Sequence, residues 1–174
     1  MAGLDLDEAL LAVARERLPH VTFHYGDMTS FDLGRRFDAV TCLFSSIGYT
    51  LTEAKLHEAI ATMARHLKPG GVLIVEPWLG PSDWIPGHLH LLTVDEPDVK
   101  LSRASVAGLE QDVSVVDFHY LVVTRAGVEY FTEHHELGLF TPEQYGDAIE
   151  AAGLDVVHDE EGLIGRGLYV GVAG

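Results

Sequence analysis

Val21 to Thr50 reads VTFHYGDMTSFDLGRRFDAVTCLFSSIGYT. Val21, Phe23 and Tyr25 alternate with Thr22 and His24, which is the period of a strand, and Gly26-Asp27-Met28 breaks the run. Phe37 to Phe44 is an almost unbroken apolar run, as a strand covered on both faces requires. It stops at Ser45-Ser46-Ile47-Gly48, small residues that let a ligand approach the backbone. Two parallel strands ending in an Asp turn and a Ser/Gly turn make the rim of a ligand crevice, because ligands of open α/β sheets sit outside the carboxyl ends of the strands.

Outward from this stretch the pattern repeats. Gly3 to Leu6 is a short strand, and Asp7 or Glu8 opens a helix with Leu10, Leu11, Ala14 and Leu18 at helical spacing, stopped by Pro19. Thr52 is the N-cap of a second helix whose inner face is Leu56, Ile60, Met63, Ala64 and Leu67. Lys68-Pro69-Gly70-Gly71 ends that helix and turns the chain into the buried strand Val72 to Val75, which ends at Glu76-Pro77-Trp78. Strands alternating with helices imply a parallel sheet with right-handed crossovers. From Leu79 to Phe140 the pattern changes. No amphipathic helix is visible, and Val113 to Val122 and Glu129 to Gly138 alternate as long antiparallel strands. Thr141-Pro142-Glu143 opens a last helix, and Leu154 to His158 with Gly167 to Val172 form a terminal antiparallel pair. The expected organisation is an α/β core from 1–78 and 141–174, with residues 79–140 as an antiparallel β insert for acceptor binding or dimerisation.

The chain has 174 residues, 47% of them apolar, and a net charge of −16 with only 11 basic side chains. That balance argues against nucleic acid or an anionic membrane as partner. Cys42 is the only cysteine, which excludes an intrachain disulfide and suits a reducing cytoplasm. No basic segment followed by an apolar run opens the chain, so no signal peptide is expected, and no stretch approaches the length of a membrane helix.

Asp5, at a strand end, has the placement of a carboxylate that accepts both hydroxyls of a ribose, although an Asp there commonly caps a helix instead. Asp27 can accept from an adenine amino group while Met28 covers the ring face. His134 and His135, flanked by Glu133 and Glu136, look like a metal cluster, but strand alternation sends the two imidazoles to opposite faces, so no shared metal is expected. His88 and His90 are compatible with one ion, with no third ligand evident.

The string GLDLDEALLAVARERLP…HYGDM…RRFDAVTCLFSSIG…LKPGGVLIVEPW resembles the part of a class I S-adenosylmethionine-dependent methyltransferase that follows its glycine-rich turn. TCLFSSIG, VEPW, FHYLV, HHE…LFT-EQY and GRGLYVG together resemble the small bacterial N-methyltransferases of nucleotide-linked aminosugars, which dimethylate the amine of deoxysugars such as desosamine and mycaminose. The resemblance runs nearly end to end. It implies a Rossmann-like core, S-adenosylmethionine as cofactor and a nucleotide-linked aminosugar as acceptor. On that reading Asp5, Leu6, Asp27, Met28, Phe44 and Ser45 surround the methyl donor. Ser46, Tyr49, Glu76, Trp78, His119 and Tyr120 line the acceptor site, with Tyr49 and His119 nearest the chemistry. Arg166, and with it Arg103, would grip the diphosphate bidentately.

Two departures from that pattern stand out. The resemblance implies a first strand with a glycine-rich turn, and the one G-x-G here, Gly165-Arg166-Gly167, precedes a strand and not a helix. The strand order expected from the family is 3-2-1-4-5-7-6, with strand 1 falling between 3–6 and 37–44. On this basis the chain by itself is expected not to methylate. The competing reading is a non-catalytic dimerisation or sugar-nucleotide-binding fragment. The second departure is Tyr49, where close relatives carry His, and tyrosine is a poor base near neutral pH. A homodimer is expected because the insert offers a sheet face or edge that a twin could cover.

Overall fold

A computed structural model describes residues 1–174. The strand β1 (Ala2–Asp5) leads into helix α1 (Glu8–Arg17) and returns as β2 (Thr22–Tyr25), parallel to β1. Asp7 is the α1 N-cap: its carboxylate accepts from the N–H groups of Ala9 and Leu10. β3 (Phe37–Cys42) is followed by a short 3-10 turn (Ser46–Thr50), α2 (Glu53–Arg65) and β4 (Leu67–Val75), again parallel. After the insert, α3 (Pro142–Ala151) starts at a reciprocal cap: Thr141 accepts from the Gln144 N–H while the Gln144 side chain accepts from the Thr141 N–H. β9 (Leu154–Asp159) and β10 (Leu168–Ala173) close the core as an antiparallel pair.

The core strands lie in two groups, β2-β1 and β3-β4-β10-β9. Within each group the neighbours are those of the expected order, 3-2 in the first and 4-5-7-6 in the second. β1 and β3 do not pair with each other. The hydrophobic centre lies on the second group, where Leu56, Ile60 and Met63 of α2 and Tyr145, Ala148 and Ile149 of α3 pack over Leu73, Val75 and Tyr169. By contrast α1 buries only Leu11.

Lys68-Pro69-Gly70-Gly71 is not a free turn, as the sequence suggested. It lies inside the β4 span, and the pairing with β3 slips between Phe37 and Ala39. Gly70 has φ +71, and a Cβ on Gly71 would stand 2.9 Å from the Lys68 carbonyl oxygen, so the glycines kink an extended segment against its neighbour.

The insert contains four strands where the sequence pattern marked two. β5 (Leu89–Asp95), β6 (Val99–Glu110), β7 (Val113–Thr124) and β8 (Gly127–Gly138) form one antiparallel sheet in that order. Their register creates rows across it. One face carries Leu92-Arg103-Tyr120-Phe131 and, in the next row, His90-Ser105-Phe118-Glu133. The other carries Leu91-Ala104-His119-Thr132 and Leu89-Val106-Asp117-His134.

Candidate functional site

The rim of the crevice is built by a strained backbone. Phe44 (φ 54) and Ser45 (φ 62) are both left-handed, a conformation that costs a non-glycine residue of order 1 kcal/mol or more and persists only where its surroundings enforce it. Glu76 is the enforcing group. It is 1% exposed, and its Oε2 accepts the Phe44 N–H at 2.6 Å. Its own N–H donates to the Cys42 carbonyl, so the ends of β3 and β4 are tied twice. The bend leaves Phe44 83% exposed and turns Ser45 inward, where its hydroxyl donates to the Pro77 carbonyl at 2.8 Å. The second Glu76 oxygen, Oε1, is buried with no protein partner.

Arg166 reaches the same point from the loop before β10. Its Nη1 donates to the Ser45 hydroxyl at 2.9 Å and its guanidinium lies 4.8 Å from the centre of the Trp78 ring. Gly165 (φ +79) and Gly167 (φ +85) make the turn that aims it. Trp78 is fixed by its indole N–H, which donates to the Ser114 hydroxyl, and Ser114 in turn donates to the Leu137 carbonyl. This chain clamps the insert to the core.

The wall opposite is one face of the antiparallel sheet. Arg103 lies over the Phe118 ring at 4.7 Å, and its Nε is buried without a partner. Tyr120 stacks on Phe131 and donates its hydroxyl to Glu133 at 2.7 Å. Burial, reinforced by the Glu133 carboxylate, pushes the Tyr120 hydroxyl above its usual range. A cavity of 400 Å³ lies against this wall, a second of 660 Å³ lies between the segment after β4, the start of α3 and the loop before β10, and Trp78 and Arg166 line both. Arg103 and Phe118 line the smaller one, with His88 and His90 beside them.

The structure therefore brings Trp78, Arg103 and Arg166 to one cavity, with Ser45 bonded to Arg166, Glu76 enclosed beneath the rim and Tyr120 beside Arg103 in the sheet. Ser46 sits at the start of the 3-10 turn, its hydroxyl donating to the Leu43 carbonyl. Tyr49, half exposed on that turn, donates toward or accepts from His135 Nδ1 at 2.6 Å. Asp5, Leu6, Asp27 and Met28 stand at the carboxyl ends of β1 and β2. Asp5 and Asp27 each spend one oxygen locally, Asp5 on the Asp7 N–H and Asp27 on Thr29, and each keeps the other free. The Thr29 N–H, and then its hydroxyl, hold the Asp27 carboxyl below the usual carboxylate range.

His119 is the exception. It lies on the far face of the sheet, in a different row parity from Arg103 and Tyr120, and its Nδ1 is paired with the Tyr130 hydroxyl at 2.6 Å. An imidazole pointing away from the cavity cannot touch an acceptor there. His134 shares that outer face, between Asp117 and Glu136, whose carboxylates raise its pKa, while His135 faces inward. No group of three His, Cys, Asp or Glu side chains is arranged to hold a metal. Burial pushes the Cys42 thiol up to about 12, which removes it as a nucleophile.

The sequence reading missed Phe118, Glu133, His135 and Trp84. Glu133 and His135 share a strand face with Leu137, an alternation visible in the sequence. What was lacking is the register that turns this face toward the core.

A profile describing a methyltransferase domain matches residues 1–71. The chain is 43% identical over 173 residues to the dTDP-3-amino-3,6-dideoxy-alpha-D-glucopyranose N,N-dimethyltransferase of Streptomyces fradiae, covering 99% of this chain and 68% of that protein. The chain belongs to this N,N-dimethyltransferase family. It is 42% identical to the dTDP-3-amino-3,4,6-trideoxy-alpha-D-glucopyranose N,N-dimethyltransferase of Streptomyces venezuelae, over 98% of this chain and 73% of the relative. Among solved structures, DesVI of Streptomyces venezuelae superposes with a TM-score of 0.95 at 42% identity, covering 99% of this chain and 74% of DesVI. The S-adenosylmethionine-bound amino pentose methyltransferase CalS10 of Micromonospora echinaspora gives 0.90 at 42% identity, over 99% of this chain and 73% of CalS10. These family members share the class I methyltransferase fold with the present chain.

Proposed function

We propose that this protein takes part in S-adenosylmethionine-dependent N,N-dimethylation of the amine of a dTDP-linked deoxy-aminosugar. The observation that carries the reading is end-to-end similarity, at 38–43% identity, to three relatives named for that reaction. The crevice fits such a ligand. Arg166 and Arg103, both presented on aromatic faces, supply charge for a diphosphate, and the orphaned Glu76 Oε1 and Arg103 Nε await a polar partner. On the donor side, the free oxygens of Asp5 and Asp27 fit ribose and adenine, with Leu6, Met28 and Phe44 as apolar surfaces around them. The bound donor would supply an electrophilic methyl carbon. What the chain supplies is alignment, since a neutral amine held in line needs little else. Residues 79–140 thus serve acceptor binding. Incubation with donor and dTDP-linked aminosugars, read by product mass, tests the reading. Addition of methyl to a different class of acceptor, with none to aminosugars, would overturn it.

Asp27→Ala is expected to weaken donor binding by ~1–3 kcal/mol through an unpaired polar partner. Removing the Thr29 contacts also lowers stability. Because folding lowers the Asp27 pKa, its stabilisation is present above the ordinary carboxylate pKa of about 4 and is lost as pH falls through the folded value. Calorimetric titration with the donor reads the first effect, and unchanged affinity removes Asp27 from the donor site. Acid denaturation midpoints read the second.

The partner of the outer sheet face is a second copy of this chain. Leu89, Leu91, Leu121, Val128 and Tyr130 stand exposed there, an apolar patch that a lone soluble subunit rarely shows. A twofold pairing of two such faces would bury it on both sides. Leu121→Glu is expected to convert a dimer into a monomer in sedimentation, and an unchanged mass would place any interface elsewhere. No helix is long and apolar enough to cross a membrane, and with the buried lone Cys42 a cytoplasmic setting goes with this reading.

A further inference from the structure

A nitrogen that receives two methyl groups has a proton problem. After the first methyl arrives the amine is a secondary ammonium, whose lone pair is occupied by a proton. One N–H bond must break before the second transfer. The residues with a hydroxyl or imidazole at the crevice are few. Glu76 already holds the Phe44 N–H, and Cys42 is buried.

Glu76 Oε1 is enclosed beneath the rim, and His88 and His90 line the smaller cavity with no hydrogen-bonded side chain to pass a proton on. One connected set remains. Tyr49 rises from the 3-10 turn at the rim, just beyond Ser45 and Ser46, and its hydroxyl lies 2.6 Å from His135 Nδ1. His135 meets the Phe118 ring edge-on with centroids 5.3 Å apart, and Phe118 lines the smaller cavity. The other imidazole nitrogen, Nε2, faces Glu133 Oε2 at 3.5 Å. Glu133 also accepts from Tyr120, which stands beside Arg103 in the same row. These are the titratable and charged groups around the imidazole: Tyr49 from the rim turn, Glu133 from its own strand, Tyr120 and Arg103 from β7 and β6.

We propose that Tyr49, His135 and Glu133 form a proton exit for the acceptor nitrogen, emptied between the two methyl transfers. The proposal rests on the acceptor being an amine that is methylated twice. An N–H bond of the secondary ammonium breaks as its proton passes to the Tyr49 oxygen. The Tyr49 O–H proton passes in the same step to His135 Nδ1. The nitrogen regains its lone pair, tyrosine ends neutral, and the imidazolium is held beside the Glu133 carboxylate until it loses its proton to water. No electron is gained or lost. Glu133 is a positioning residue: a carboxylate at Nε2 favours the Nε2–H tautomer, which leaves Nδ1 free to accept. Burial and the Glu133 charge keep the Tyr49 hydroxyl protonated, so tyrosine conducts and imidazole accepts. The arrangement also accounts for tyrosine at this position, since the imidazole stands one bond further out, on β8.

Tyr49→Phe, His135→Gln and the double variant test this in an assay of a dTDP-linked aminosugar that scores monomethylated and dimethylated product separately. Each single variant is expected to raise the mono-to-dimethyl ratio about tenfold, the double variant no further. The excess should shrink as pH rises and solvent takes the proton instead. A ratio equal to the parent's at every pH overturns the proton exit. Nitrogen-15 NMR of the histidines supplies a readout free of turnover: His135 is expected as the Nε2–H tautomer, and an Nδ1–H tautomer overturns the proposal by itself. A parent protein that methylates a different class of acceptor and leaves aminosugars unmethylated, while His135 shows the expected tautomer, contradicts the acceptor assignment, and the pair is then no exit for an amine.

Discussion

Glu76→Ala is expected to be the most damaging single substitution in the crevice. It removes the buried acceptor of the Phe44 N–H and leaves a void where a fully enclosed side chain stood. An unpaired buried donor costs ~1–3 kcal/mol, and truncating a large buried side chain adds a cavity term of roughly 2 kcal/mol or more. The left-handed pair at 44–45 then keeps only the Ser45 bonds to Pro77 and Arg166, which are expected to loosen as Phe44 turns from its exposed position. Thermal unfolding is expected to shift down by several degrees, and acceptor binding to fall with it. Glu76→Gln separates the two roles, because an amide oxygen can still receive the Phe44 N–H. Its fold should persist, while any ligand group that donates to Oε1 loses a charged partner. A Glu76→Ala protein with parental stability and acceptor affinity would show that the rim holds its shape unaided.

Arg166→Ala is expected to raise the dissociation constant for a dTDP-sugar by about 10- to 100-fold, the worth of one to two charge-assisted hydrogen bonds. Stability should change little, since the side chain is only part-buried. Arg166→Lys should recover little, because an ammonium cannot both stack on Trp78 and present a planar fork. Affinity that is unaffected at low and high salt alike would make this loop a surface turn. The neighbouring Gly162→Ala gives a geometric control: its Cβ would meet the Gly167 backbone at 2.4 Å, so the loop must move and carry Arg166 away.

Much of this was legible from strand ends. Apolar runs that stop at Ser45-Ser46 and Glu76-Pro77-Trp78 locate a crevice, because the parallel pairing of β3 with β4 puts those residues at one edge of a sheet, while Gly26-Asp27 ends the separate β1-β2 pair. Arg166 was legible from the glycines on either side of it. The insert was harder. Alternation says that His119 and Tyr120 face opposite ways, yet it does not say which way is in. That choice depends on the Trp78–Ser114–Leu137 hydrogen bonds, which join residues far apart in the chain. His119 was therefore placed on the wrong side, and His135 was weighed only as a metal ligand. β5 and β6 escaped notice because polar and small residues such as Ser102, Ala104 and Ser105 blur their two-residue period. The kink at Lys68 to Gly71 looked like a turn because Pro-Gly-Gly serves both purposes.

The two-faced sheet has a consequence for how such a protein can change. Residues that touch the crevice and residues that face outward interleave along every strand, so they are close in sequence but separate in effect. Exchanges at Arg103, Phe118 or Phe131 change the inner face without disturbing the outer surface, and the reverse holds for Leu121 or Tyr130. An insertion or deletion of one residue within β7 or β8 does the opposite. It would bring His134 inward, send His135 out, and rewrite both surfaces at once. Diversification of this sheet should therefore proceed by replacement within the strands, with length changes confined to the hairpin bends at Pro97-Asp98, Gln111-Asp112 and Arg125-Ala126.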